Sequence, residues 1–168
     1  TRRSSDLYSS QGTANPTSWT RITRTTALTP KTRAGDEMYM NLDLICRHVS
    51  IQVTEKNLST IDIKEIEVYA IDQTNIALNK ETLASSTYDP NTSDLAVDND
   101  NSTYWASLND FNDYPQFQVD LGTVQKVNGI GLNFDGEFYP TLYGVFYSDD
   151  AQNWTPLVQT VTKSATGA

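Results

Sequence analysis

The chain has 168 residues, of which 38% are apolar and 20% charged, and its formal net charge of -9 argues against nucleic acid or an acidic lipid surface as a ligand. The length fits one domain with a substantial core, and no apolar run approaches the length of a membrane-spanning segment. A single cysteine, Cys46, excludes an intrachain disulfide and a multi-cysteine metal cluster.

The first predicted strands follow a Thr-, Ser- and Arg-rich stretch. We expect this stretch, Thr1 to Arg33, to be loop except for a strand-like island at Trp19 to Thr23. Val49, Ile51 and Val53 then alternate with polar residues, which predicts a strand buried on one face. The same alternation recurs over Ile61 to Val68.

The second half of the chain continues the β pattern after a polar stretch. Tyr88 to Asn101 is dense in Asp, Asn, Thr and Ser, a composition typical of loops. Alternation returns at Phe117 to Leu121, at Ile130 to Phe134 and at Tyr143 to Tyr147. Because no apolar stripe of helical period is present, the sequence predicts an all-β fold, with a sandwich as its architecture.

Two sets of motifs in the chain resemble a known family. The second half carries, in order, N-I-A-L-N-K, A-V-D-x-D-x-x-T-x-W, P-Q-F-Q-V-D-L-G, V-N-G-I and Y-S-D-D-x-x-x-W, all within residues 75–154. The first half carries W-T-x-I, R-H-V-x-I-x-V and E-I-E-V-Y, within residues 19–69. The chain resembles the discoidin (factor V/VIII type C) domain and is similar to family 32 carbohydrate-binding modules. The resemblance implies a discoidin-like antiparallel β-sandwich of the jelly-roll type.

The two sets of motifs stand in the reverse of the family's order. We therefore expect a circularly permuted single domain over residues 1–168, in which 16–73 resembles the family's C-terminal half and 74–168 its N-terminal half. The alternative is a piece of a tandem array that carries half of each neighbour. A permutant is favoured because half-domains expose core faces to water. Leu7-Tyr8-Ser9-Ser10 echoes Phe146-Tyr147-Ser148-Asp149, and one strand position can take only one copy, so residues 1–15 are expected to form an N-terminal arm packed on the outside.

A polar segment near the middle of the chain is a candidate calcium site. Asp94, Asp98, Asp100 and Thr103 place several oxygen donors within ten residues, and calcium takes six to eight oxygen ligands. The resemblance implies a structural calcium ion bound by side chains of Asp98, Thr103 and Glu65 and by carbonyls of Leu95, Asp100, Thr103 and Lys64. Without the resemblance, a solvated loop with no metal explains the composition better.

The resemblance also places the ligand surface on loops at one end of the sandwich. These loops correspond to Thr87 to Asp94, Ser107 to Tyr114 and Asn133 to Pro140. The candidate ligand-binding residues are Tyr88, Asp89, Asn91, Phe111, Asn112, Tyr114, Phe138 and Tyr139. Aromatic faces stack on sugar rings while amides and carboxylates bind the hydroxyls, although we expect some of these rings to fold inward.

The composition of the loops narrows the ligand class. Residues 74–168 contain no His or Arg, which galactose- and fucose-binding relatives commonly use, so the resemblance points to another sugar or to no sugar. The acidic character of the loops argues against the lipid-binding mode of other relatives.

No motif in the sequence indicates catalysis. Cys46 and His48 lie two residues apart, on one face of a predicted strand, but a small core residue and a surface imidazole explain them better than a thiolate pair. We expect a non-catalytic carbohydrate-binding module of a larger secreted or cell-surface protein, with a glycan or polysaccharide and neighbouring domains as partners. The alternative is a structural or adhesive repeat domain with no sugar site.

Overall fold

The computed structural model describes residues 7–9, 20–22 and 36–162, and it contains nine strands and one short 3-10 helix. The helix is Ser93–Ala96, within the stretch predicted as loop. The strands are β1 Leu7–Ser9, β2 Thr20–Ile22, β3 Asp36–Lys56, β4 Asp62–Tyr69, β5 Glu81–Ala84, β6 Trp105–Ala106, β7 Gln116–Phe134, β8 Pro140–Ser148 and β9 Thr155–Thr162. The prediction of an all-β fold is confirmed. Across these described ranges, no helix is long and apolar enough to cross a membrane.

Seven of the strands form one continuous antiparallel sheet. Its order is β6-β4-β7-β3-β8-β9, and β5 pairs with β7 beside β3. The two remaining strands, β1 and β2, pair with each other, β1 beside β9 and β2 beside β3. The expected outer arm at residues 1–15 otherwise lies outside the described residues.

The long strands β3 and β7 fold the sheet into two layers. Tyr39 and Val53 are 14 residues apart in β3, about 46 Å in an extended strand. The hydroxyl of Tyr39 is nevertheless 3.0 Å from that of Tyr143, which pairs with Val53. The strand must therefore double back, so that its two ends face each other across the core. The same arrangement brings the ring of Phe134, at the end of β7, to 5.3 Å from that of Tyr143.

The first layer contains β6, β4, residues 129–134 of β7 and residues 36–40 of β3. The second contains β5, residues 116–120 of β7, residues 48–56 of β3, β8 and β9. We call the end of the sandwich where β3 and β7 bend the bend end. The opposite end, at which the first residues of β4, β7 and β8 lie, is the loop end.

Bulges produce the bend. The pairing of β3 with β7 shifts register twice, between Met40 and Leu44 and between Cys46 and His48. The buried positions of β3 are Leu42, Leu44 and Cys46 before the second shift, and Val49 and Ile51 after it. The shift from even to odd numbers shows that an extra residue is inserted, which reverses the face of every side chain that follows. The earlier shift, between Met40 and Leu44, includes Asn41 with a φ of 58°. Such bulges increase the twist of a strand and allow it to turn between layers.

Side chains from both layers form one core. Its largest fully buried members are Trp105, Tyr39, Tyr143, Phe117, Ile51, Ile61, Ile63, Ile66, Leu121, Ile130, Leu132 and Leu157. The rings of Trp105 and Phe117 meet edge to face, with centroids 4.9 Å apart. Full burial of each large apolar side chain contributes about 1.5–3 kcal/mol, so this core is the main source of stability.

The joint between the two halves of the sequence is a short turn at the bend end. The Ala70 amide donates to the Thr74 carbonyl at 3.0 Å, and Ile76 donates to Val68 at 2.7 Å. The side-chain oxygen of Asn75 accepts hydrogen bonds from the amides of Val68 and Ala77, both at 3.1 Å. Residues on both sides of this turn belong to the same buried cluster.

Candidate functional site

Four loops meet at the loop end of the sandwich. They span residues 57–61, 85–92, 107–115 and 135–139. Three of them overlap the predicted ligand loops. Loop 85–92 begins and ends two residues earlier than predicted, because Ser93 and Asp94 belong to the 3-10 helix, and loop 107–115 is one residue longer. Loop 135–139 is narrower than predicted, because Asn133 belongs to β7 and Pro140 to β8. The fourth, 57–61, joins β3 to β4.

Hydrogen bonds tie these loops to one another. The Ser86 hydroxyl donates to Asp113 and accepts from the Leu108 amide at 3.3 Å, which joins loop 85–92 to loop 107–115. The Thr60 hydroxyl donates to the Ser107 carbonyl at 3.0 Å. The Asn57 side-chain amide donates to the Glu137 carbonyl, and the loop end is therefore held as one surface.

Aromatic side chains project from this surface. Tyr88, Phe111 and Tyr114 are 53%, 67% and 58% exposed. Leu108, which the sequence reasoning did not single out, is 46% exposed in the same loop as Phe111. Its only sequence signal is that it is an apolar residue in an otherwise polar segment.

The third loop contributes less aromatic surface. Tyr139 is only 8% exposed and belongs to the core cluster, and Phe138 is partly buried. The ring of Tyr139 therefore packs inward, and among the predicted aromatic residues Tyr88, Phe111 and Tyr114 are the ones most available to a ligand.

The predicted polar residues lie beside the exposed rings. Asp89 precedes Pro90 through a cis peptide bond, and the Asn91 amide donates to the Tyr88 carbonyl at 3.0 Å. The Asn112 amide donates to the Asp110 carboxylate at 2.9 Å. The Asn112 side-chain amide reaches the same Asp110 oxygen at 3.3 Å. Asp89 and Asn91 thus share a loop with Tyr88, and Asn112 shares a loop with Phe111 and Tyr114.

Lys56 supports the loop that carries Phe111. Its ammonium group donates to the carbonyls of Ser59 at 2.9 Å and Asp110 at 2.7 Å. Burial lowers the pKa of Lys56, and the nearby carboxylates of Asp113 and Asp110 oppose that shift. The sequence did not indicate this role, since 54 residues separate Lys56 from Asp110.

Asp62 is the first residue of β4 and joins loop 57–61 to loop 135–139. The Asp62 amide donates to the Phe138 carbonyl at 3.0 Å, and the Asp135 amide donates to the Asp62 carbonyl at 3.1 Å. Its side chain is buried, and burial together with the neighbouring charge of Asp135 raises its pKa to about 6. Lys64 pairs with Asp135 at 2.8 Å, which limits the repulsion between the two carboxylates.

The segment predicted to bind calcium, residues 95–103, brings several oxygen atoms together, and we call it the calcium loop. The Thr103 hydroxyl is 2.8 Å from an Asp98 carboxylate oxygen and 2.7 Å from the Asp100 carbonyl. The other Asp98 oxygen accepts a hydrogen bond from the Asp100 amide at 2.8 Å. Leu95 lies in the 3-10 helix, which contacts β4, the strand of Lys64 and Glu65.

The donors of this loop fit a hard cation. Glu65 is only 1% exposed, and a buried carboxylate is costly unless it is paired with positive charge or hydrogen-bonded. In the part of the chain that the structure describes, no three His, Cys, Asp or Glu side chains form a metal cluster. The predicted set needs only the carboxylates of Asp98 and Glu65, because its other ligands are carbonyls and a hydroxyl.

The Cys46 and His48 side chains do not share a strand face, and that expectation was wrong. The bulge between them leaves Cys46 in the core and turns His48 toward the outer face of the second layer. Burial raises the pKa of the Cys46 thiol to about 12, so a reactive thiolate is disfavoured.

Comparison with family models identifies the family of the chain. No curated protein matches the chain significantly. The family model of the F5/8 type C domain matches residues 81–168, just over half of the chain. This range contains β5 to β9, the calcium loop and three of the four loops of the loop end. The chain therefore belongs to the F5/8 type C, or discoidin, domain family.

Proposed function

We propose that this protein is a calcium-stabilised glycan-binding module that binds sugars through the aromatic residues of its loop end. Discoidin domains are generally carbohydrate- or lipid-binding modules, are typically non-catalytic and occur in extracellular proteins. The module would attach a larger secreted or cell-surface protein to glycans, in the manner of the family 32 carbohydrate-binding modules that its motifs resemble.

Three exposed aromatic rings are the observation that carries this proposal. Tyr88, Phe111 and Tyr114 are each more than half exposed on loops that hydrogen-bond to one another. Contact of large apolar side chains with water is unfavourable, so a cluster of them on a fixed surface favours a binding role. Sugar rings offer apolar C–H faces that stack on such rings, and their hydroxyls bind amides and carboxylates such as those of Asn112 and Asp89.

The charge of the loop end favours a glycan over a lipid headgroup. The loops carry the carboxylates Asp89, Asp110, Asp113 and Glu137. Lys56, the cation beneath them, is occupied by two backbone carbonyls. An anionic membrane surface attracts basic segments, and this surface presents the opposite charge.

The proposed calcium ion has a structural role. Asp98, Thr103 and Glu65 would supply side-chain oxygens, and Leu95, Asp100, Thr103 and Lys64 would supply carbonyls. When bound, the ion neutralises clustered negative charge and joins the calcium loop to β4. The ion would thus connect residues on the two sides of the 70–74 turn.

A glycan array tests the proposed function. The folded, calcium-loaded protein is expected to bind a limited group of glycans, and Phe111→Ala and Tyr114→Ala are each expected to abolish the signal. Val124→Ala is the matched control, because Val124 is 50% exposed but lies at the bend end. Silence across a broad array would instead favour a structural or adhesive repeat domain with no sugar site.

A further inference from the structure

The outer face of the second layer contains a shallow polar groove. Across it, the pairing of β5, β7, β3 and β8 aligns Glu81 with Asp120, Asp120 with His48, and His48 with Ser148. The next outward row aligns Leu83 with Gln118 and Gln118 with Ser50. The residues between these positions, such as Val119 and Val49, belong to the core, so the rows point to the outer face, where Ser50 and Ser148 are themselves buried by neighbouring groups.

The groove lies between β5 and the β8–β9 turn. It has a volume of about 390 Å³, which is within the range of small-molecule sites. Glu81, Thr82 and Leu83 of β5 form one wall, and Ala151 of the turn forms the other. Its floor consists of the planar side chains of His48, Gln118 and Asp120.

A charged cluster fixes the floor of the groove. Arg47 makes a bidentate pair with Asp120, through two hydrogen bonds of 2.7 Å, and the Gly122 amide adds a third bond of 2.8 Å. The hydrogen bonds from Arg47 are the main reason that the pKa of Asp120 falls to about 2, and burial opposes the shift. The Nδ1 atom of His48 is 3.8 Å from Asp120, and its ring meets the edge of Trp154, with centroids 6.4 Å apart. The position of the imidazole is therefore set before any ligand arrives.

Other groups in the groove remain available to a ligand. Among the described residues, the side chain of Gln118 makes no hydrogen bond, and an amide both donates and accepts. Arg47 does not line the groove but pairs with Asp120 of its floor; it is 42% exposed and has N–H groups beyond the two that bind Asp120. Leu83, 64% exposed, supplies an apolar wall.

We propose that this groove is a second glycan-binding site, which takes a neutral oligosaccharide. The amide of Gln118 and the imidazole of His48 would bind sugar hydroxyls, and Leu83 would contact the apolar face of a ring. The charges of Glu81 and Asp120 exceed that of Arg47 by one, so the groove disfavours an anionic ligand. The site does not depend on the loop end. Tyr114 and Gln118 are four residues apart in sequence, about 13 Å along an extended strand, so the chemical shifts of individual residues distinguish the two sites.

The test is an NMR titration of the full chain with maltotriose, cellotriose, mannotriose and xylotriose. It uses the wild type and a variant that carries Phe111→Ala and Tyr114→Ala. We expect at least one trisaccharide to shift the Gln118 side-chain amide, the His48 ring and the Trp154 indole in a saturable manner in both proteins. Gln118→Ala is then expected to weaken that binding at least fivefold. Gln52→Ala, on the same face of β3 but outside the groove, is the matched control and is expected to leave the affinity unchanged.

The outcomes separate the two proposed sites. Shifts confined to the loop end would overturn the groove site and leave the proposed function intact. Shifts confined to the groove would support the second site and leave binding at the loop end to the glycan array. The absence of any shift would overturn the groove proposal. Equal weakening by Gln52→Ala and Gln118→Ala would also overturn it, because the effect would then come from the sheet as a whole.

Discussion

Among single residues, Asp62 gives the clearest prediction for how the free energy of unfolding depends on pH. Its pKa is raised to about 6 in the folded protein, first by burial and second by Asp135, against 3.8 for an ordinary Asp. The folded state therefore binds the proton more tightly than the unfolded state, and the ionised form costs stability above about pH 6. That cost, up to about 3 kcal/mol, disappears as the pH falls below about 4.

Replacement of the carboxylate tests this dependence. We expect Asp62→Asn to be more stable than the wild type by about 1–2 kcal/mol at pH 7.5 and nearly equal to it at pH 4. Urea unfolding at the two pH values measures the difference, and the contributions of carboxylates that do not interact with Asp62 cancel in it. A constant difference at both pH values would mean that Asp62 is not the titrating group.

At the scale of elements, the calcium loop makes the sharpest prediction. A ligand present at 100 times its Kd stabilises the folded state by about 2.7 kcal/mol. We therefore expect excess chelator to lower the Tm by about 5–10 °C. Asp98→Asn should remove most of this shift, because Asp98 is the expected carboxylate ligand in the loop.

Asp94→Asn is the matched control for this measurement. Asp94 is exposed in the 3-10 helix of the same region and carries the same charge, but it is not in the proposed ligand set. If both variants reduced the calcium effect equally, general charge attraction rather than ligation would explain it. An unchanged Tm in chelator would contradict the site itself.

The elements also show how far the sequence could predict the fold. Period-two alternation correctly placed strands at Val49 to Val53, Phe117 to Leu121 and Tyr143 to Tyr147, because burial on one face determines that pattern. The bulges in β3 were not predicted, and the expected shared face of Cys46 and His48 failed for that reason. A bulge depends on how two strands pair, which residues of one strand do not reveal.

The candidate site was predictable to a similar degree. The exposed rings of Tyr88, Phe111 and Tyr114 lie in loops that the resemblance selected. The inward turn of Tyr139 and the role of Lys56 depend on contacts between distant segments, with no local signal. The alignment of His48 with Asp120 and Glu81 likewise required the register of three strands.

For the whole molecule, we propose that residues 16–73 and 74–168 form one circularly permuted domain. The hydrogen bonds across the 70–74 turn and the shared core support this proposal. Ile66 precedes the turn and Leu157 follows it, and both side chains are fully buried. The test replaces each of them by alanine. We expect each variant to lower the free energy of unfolding by about 2–5 kcal/mol in one cooperative transition, with the chain monomeric by light scattering. Two separate transitions, each sensitive to one variant, or an obligate dimer would favour halves of two tandem domains.

The central claim is that the aromatic rings of the loop end bind sugar. Calorimetric titration of the strongest array glycan into the wild type, Phe111→Ala and Val124→Ala tests it most directly, with circular dichroism to show that all three are folded. We predict that Phe111→Ala raises the Kd at least tenfold, as expected for an aromatic residue that dominates a binding surface, while Val124→Ala leaves it unchanged. Equal affinity in all three proteins would contradict the claim.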